Sequence, residues 1–113
     1  MNAEYLEELT SLLEQARPGI VETLGLEFKG VFGAVGGYVG DSIFITCGRF
    51  GVAVRLSPDA LERVFEQDGV EQLRYFPKGH IKREYAVLPG WLLEDSAHFG
   101  SIVDDSVAYV RCL

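Results

Sequence analysis

The chain is poor in the residues that announce a chemistry. Its 113 residues include two cysteines, two histidines, one tryptophan and one methionine. Cys47 and Cys112 stand in no paired spacing, which argues against a disulfide framework and a Cys-x-x-Cys motif. We expect both to be free thiols, a Cys47–Cys112 bridge being the alternative. No two of Cys47, His80, His98 and Cys112 are separated by the short intervals (about two to five residues) of structural zinc sites, so no metal is expected. No cofactor is expected either. Long apolar runs are missing too: nothing approaches the roughly 20 residues that a membrane helix needs. The first residues carry Glu4, Glu7 and Glu8 where a secretory leader wants positive charge. We therefore expect a cytoplasmic protein without a membrane partner. Positive charge is the last scarcity. Ten Lys and Arg against 17 Asp and Glu leave a formal net charge of -7, which repels a phosphate backbone and disfavours direct nucleic-acid binding.

What is present reads as one folded domain. Hydrophobic residues make up 48% of the chain and charged residues 24%, the balance of a globular protein too short for a second core. Between Ala3 and Ala16 the apolar positions Tyr5, Leu6, Leu9, Leu12, Leu13 and Ala16 recur at intervals of three and four, which predicts a helix with one buried stripe. Pro18 and Gly19 stop it. The glycine-rich run from Gly30 leads to "SIFITCGRFGVAVRL", two β-prone runs on either side of Gly48-Arg49-Phe50-Gly51 and hence a hairpin. Ser57-Pro58 is a helix start, with Leu61, Val64 and Phe65 as its apolar face and Gly69 as its end. "QLRYF" and "KREYAVL" follow as strands around a turn at Pro77-Lys78-Gly79. A last helix carries Phe99, Ile102, Val103, Ser106, Val107 and Val110 at helical spacing, with Ser96 as its cap. The order α-β-β-β-α-β-β-α with short connections predicts a two-layer α+β fold, an antiparallel sheet covered by helices.

The run "GVFGAVGGYVGDSIF" raises the question of a phosphate loop. A P-loop ends in Gly-Lys-Ser/Thr at a helix start, and a dinucleotide loop needs Gly-x-Gly-x-x-Gly before a helix. Here Tyr38 follows Gly37, Asp41 follows Gly40, and strand-forming residues come next. Neither template is met. Gly33, Gly36 and Gly37 are read as sites of a bulge, a bend or close backbone approach, and Gly40-Asp41 as a turn.

The candidates for catalysis are His80, His98, Cys47, Tyr85, Glu94, Asp95, Asp104 and Asp105. Nucleophilic catalysis requires a nucleophile held by an oriented base, and no spacing among these residues supplies that arrangement. Cys47 sits at a strand end, where a small buried residue is usual. His98 stands four residues after Glu94, a helical pairing distance. Asp104-Asp105 reads as the polar face of the last helix. We expect no enzyme. Charge is more informative: Arg74, Lys78, Lys82 and Arg83 gather on one hairpin beside His80, opposite in sign to the N-terminal helix. With Arg55 they form the candidate surface for a partner or an anion.

The same residues carry a family resemblance. Phe32-Gly33-Ala34-Val35-Gly36, then Tyr38, Asp41 and Phe44, resembles the opening motif of the TfoX/Sxy N-terminal domain family, with Gly37 inside it. Gly51 to Leu56 is similar to that family's strand ending in a basic residue, Tyr85-Ala86-Val87-Leu88-Pro89 to its strand ending in proline, and Ser106 to Arg111 to its final helix. Trp91 lies before the last helix, whereas the family's tryptophan lies within it. The resemblance covers about residues 20 to 113. It implies a sheet-and-helix fold like that of bacterial secretion chaperones, a tendency to form homodimers, and a protein-interaction or regulatory role. The founding members regulate natural competence together with the cyclic-AMP receptor protein and carry a second domain that this chain does not match. The alternative function is binding of an anion or small ligand by Arg55, Lys78, His80 and Arg83.

Overall fold

The computed structural model describes residues 1–113. Apolar periodicity and caps account for its first elements. Helix α1 runs over Ala3–Ala16, its free N-terminus closed by the Asn2 side chain, which accepts from the Tyr5 amide at 3.0 Å. Leu9, Leu13 and Ala16 are its buried stripe. A short α2 (Ile20–Thr23) follows the turn at Pro18-Gly19. The Glu14 carboxylate reaches over to accept from the Gly19 and Val21 amides.

Six strands then form one antiparallel sheet: β1 (Glu27–Val31), β2 (Ala34–Val39), β3 (Ser42–Gly48), β4 (Gly51–Arg55), β5 (Glu71–Leu73) and β6 (Lys82–Leu88), in spatial order β1-β2-β3-β4-β6-β5. Helix α3 (Pro58–Val64) joins β4 to β5, and α4 (Gly90–Glu94) and α5 (Ser96–Arg111) end the chain. The architecture is α+β in two layers, as the patterning predicts.

The structure adds detail where turn chemistry was hidden. The glycine-rich run is two strands, because Phe32 and Gly33 form a two-residue hairpin turn between Val31 and Ala34. Both central residues have positive φ, +47° at Phe32 and +80° at Gly33, as turns of the primed class require. Within β2, Gly36 and Gly37 leave room for neighbours: a Cβ on Gly36 would come within 2.7 Å of Ile43, and one on Gly37 within 2.8 Å of Ile45. These two glycines are packing sites and not a phosphate cradle. The last helical segment is broken at Asp95, whose side chain accepts from the His98 amide at 3.1 Å. Asp95, one residue earlier than Ser96, is thus the cap of α5. The break also places Glu94 and His98 on different helices and removes the i, i+4 pairing expected between them. Helix α3 starts at the Ser57 cap but ends by Phe65, and the left-handed Gly69 belongs to the turn beyond it. The run "QLRYF" is strand only through Leu73.

All the helices lie on one face of the sheet. The main core joins Leu9, Leu13, Phe99, Val103 and Val107 from the helices to Val35, Ile45, Val52 and Val54 from the sheet. The opposite face holds a small separate cluster, Ala53, Leu73 and Val87, closed by Phe50, Tyr75 and Tyr85 with no helix involved.

One hydroxyl fixes the helical layer against the strands. The bulge opposite Gly37 and Tyr38 gives β3 an extra residue, Phe44, and the β3–β4 ladder stops at the pair Ile45 and Val54. The carbonyls of Phe44 and Arg55 just beyond are approached by the Ser106 hydroxyl of α5, at 3.0 and 2.6 Å. Its single proton serves the nearer, Arg55, carbonyl best. Ser106 is fully buried, so its removal takes this donor away from the Arg55 carbonyl. Ser106→Ala is expected to lower the unfolding free energy by about 1–3 kcal/mol in urea denaturation with native-like secondary structure retained. An unchanged midpoint would show that the hydroxyl does not hold the layers together.

Candidate functional site

Four aromatic rings converge at the uncovered face. The β1–β2 turn carries Phe32, the β3–β4 turn carries Phe50, and the loop of residues 74–81 folds back over the sheet to bring Tyr75 and Phe76 to them. Phe32 meets Tyr75 with ring centroids 5.3 Å apart and Phe76 at 6.1 Å, while Phe50 meets Tyr75 at 5.4 Å, all edge-to-face. The loop is clamped by Arg74, whose guanidinium donates to the Gly79 carbonyl at 2.7 Å. Tyr75 covers the buried Thr46, and together with Tyr85 it seals the small residues of this face.

Between the rings runs a cleft of about 500 Å³ lined by Phe32, Arg49, Phe50, Arg74, Tyr75 and Phe76. A smaller hollow of about 190 Å³ shares Phe32, Tyr75 and Phe76 and adds His80 and Lys82. The Lys82 ammonium stands 5.8 Å from the Phe32 ring centroid, a cation–π contact. No carboxylate lines either hollow, although Asp and Glu outnumber Lys and Arg in the chain. Both salt bridges of the protein lie elsewhere, at Arg17–Asp104 and Arg55–Glu84.

The six candidate surface residues thus separate. Arg74, His80 and Lys82 come together around the paired hollows, and Lys78 belongs to the same loop. Arg83 is exposed on β6 and lines neither hollow. Arg55 is committed elsewhere: it donates to the Ile43 carbonyl at 3.3 Å and pairs with Glu84, which also accepts from the Tyr109 hydroxyl at 2.9 Å. That bond to the carboxylate raises the Tyr109 pKa. Arg49, Phe50, Tyr75 and Phe76 were not among the site residues expected from sequence, and Phe32 was expected only as a residue of a structural motif; Arg49 and Phe50 read as part of a turn, Tyr75 and Phe76 as part of a strand. The available signal was a phenylalanine placed immediately before a turn glycine. A large side chain in the left-handed region costs roughly 1–2 kcal/mol, and strain of this kind concentrates at functional positions. Phe32 carries it while 62% exposed, and Phe76 is 56% exposed.

The remaining motif residues have structural places. Pro89 is the N-cap residue of α4. Trp91 donates to the Asp68 carbonyl at 2.9 Å and packs edge-on to His98 at 6.1 Å. Tyr38 accepts the Lys29 ammonium over its ring at 4.8 Å. Asp104 is the partner of Arg17, with the guanidinium donating to both carboxylate oxygens at 2.7–3.2 Å. No group of three or more His, Cys, Asp or Glu side chains is placed to hold a metal ion. No helix is long and apolar enough to cross a membrane.

Both cysteines are free thiols. Cys47 is buried, donates to the Glu8 carboxylate at 3.1 Å, and burial followed by that carboxylate pushes its pKa up to about 12. A thiol kept neutral in this way is a poor nucleophile. Neither histidine side chain makes a hydrogen bond to another side chain, so the group facing Cys47 is the Glu8 carboxylate and not an imidazole.

No protein-family model matches the chain, and no curated protein matches it.

The thiol geometry makes a pH prediction. The unfolded Cys47 ionises near its ordinary value of 9.0 and the folded one near about 12, so between these values the unfolded state holds fewer protons. Stability is therefore intact below pH 9 and falls as pH rises toward 12. Burial raises Tyr75 and Tyr85 above 10.0 and adds loss of the same sign at the alkaline end. In a thiol titration at pH 8, Cys112 should react at once and Cys47 only on unfolding. Equal reaction rates would contradict the buried, carboxylate-bound thiol.

Proposed function

We propose that the chain is a binding module without catalytic activity, a cytoplasmic bacterial protein of the TfoX N-terminal domain type that acts by docking a protein partner. The observation that carries the reading is the cleft: exposed aromatic rings and unpaired cations assembled on an acidic protein, with no carboxylate among the lining residues. Aromatic residues and arginine are the side chains in which binding energy concentrates at protein interfaces. The motif from Phe32 to Gly36 that carries the family resemblance contributes the first wall of this cleft. A regulatory role, in transcription or competence, follows from that resemblance, as does pairing into a homodimer, for which the exposed outer strand β1 offers an open edge.

A second reading has its own support. The guanidinium groups of Arg49 and Arg74 have no carboxylate partner, which suits a small anionic ligand better than a large neutral surface.

Site-specific photocrosslinking in living bacteria that produce the protein tests the first reading. With p-benzoylphenylalanine in place of Phe76, a protein adduct of discrete mass is expected, absent when the probe replaces Glu4 on α1 and lost on adding Arg74→Glu. No adduct at Phe76, or equal adducts at both positions, would contradict docking through the cleft.

A further inference from the structure

We propose that the cleft takes an acidic peptide segment carrying one aromatic or leucine anchor. This rests on the reading of the chain as a docking module and names what the dock accepts. Charge complementarity is the first argument. Arg49, Arg74 and Lys82 line the two hollows and His80 joins them, and none of these groups is neutralised within the chain. An occupant that brings carboxylates meets Arg49, Arg74 and Lys82 there and no carboxylate. An occupant that brings cations meets repulsion at the rim and no partner inside.

The floor of the cleft specifies the rest. Phe32, Phe50, Tyr75 and Phe76 present apolar surface in a volume of about 500 Å³, within the range of about 300–1,000 Å³ for sites that bury a small ligand or anchor. The four rings brace one another in three edge-on contacts, and the clamp from Arg74 to the Gly79 carbonyl holds the loop that carries two of them. That clamp uses one nitrogen of the guanidinium; the other nitrogens have no hydrogen-bond partner in the chain, leaving a fork for a carboxylate. The strained turn delivers Phe32 to the rim with its ring exposed. An inserted side chain would lie between Phe32 and Phe50, with flanking carboxylates reaching Arg49 and Arg74.

A phosphate chain suits the site less well. Every lining residue comes from a strand end, a turn or the 74–81 loop, and no helix N-terminus points its amides into the cleft. The net charge of -7 also opposes a long polyanion, while a short acidic segment engages only the local cations.

Selection from random peptides displayed on phage, with the purified chain as bait, tests the inference. Enriched peptides should carry several Asp or Glu around one Phe, Trp or Leu. A synthetic copy of the best peptide should bind in fluorescence polarisation, weaken with added salt, and lose about tenfold or more in affinity on Arg49→Glu and on Phe32→Asn, both at exposed positions and each to be checked for a retained fold by circular dichroism. Enrichment of neutral or basic peptides would overturn the inference. So would binding indifferent to both substitutions, or displacement of the peptide by oligothymidylate at concentrations below its own. If no peptide is enriched while the Phe76 crosslink to a protein persists, the acidic-segment inference fails alone. If both are absent, the docking reading fails with it.

Discussion

A helical layer on only one face of the sheet is the constraint on which the rest of this structure depends. Ser106 ties that layer to the strands: its buried hydroxyl lies 3.0 Å from the Phe44 carbonyl and 2.6 Å from the Arg55 carbonyl, just beyond the last β3–β4 pair. The other face has no second layer to close it. Small residues line it at Gly36, Thr46 and Ala53, and side chains must supply the cover. Tyr75, Tyr85 and Phe50 do so from strand, turn and loop. The aromatic cleft is the outer margin of that cover, where Phe32 and Phe76 continue the same packing into solvent.

Function follows from the two sides being unlike. The helical side buries aliphatic residues together with Phe44 and Phe99 in a continuous core and pairs Arg17 with Asp104 at its surface. The uncovered side concentrates aromatic rings and leaves its cations unpaired. Such a surface offers shape and charge together, the two features that the proposed docking would use. Cys47 lies apart from this surface: it faces Glu8 on the helical side and is held as a neutral thiol.

How much of this was legible in the sequence depended on whether the signal was local. The α1 span, the Ser57-Pro58 start of α3 and the glycine-flanked β3–β4 turn are set by periodicity, capping and backbone freedom within a few residues, and they stand in the structure where those rules place them. The cationic loop was visible as composition, yet Arg55 separated from it because the ion pair with Glu84 is made only once β4 and β6 lie side by side. The hairpin at Phe32-Gly33 was hidden because its first residue breaks the rule for that turn. The rings of the cleft were hidden because they come from three separate turns and loops whose meeting is a property of the sheet. Ser106 looked like one more position on an apolar stripe; its role appears only against the bulge at Phe44.

The exception at Phe32 decides whether this account is right. If the left-handed phenylalanine is kept for its exposed ring, a residue that suits the turn should fold at least as well. Denaturant unfolding of Phe32→Asn, which creates the favoured Asn-Gly pair, is therefore the most direct measurement. Relief of strain offsets the lost ring contacts, and the unfolding free energy is expected to stay within about 1 kcal/mol of the wild type. A loss of about 3 kcal/mol or more, the cost of removing a core aromatic, would show that Phe32 is held in place for stability and would contradict the assignment of the cleft as the working surface.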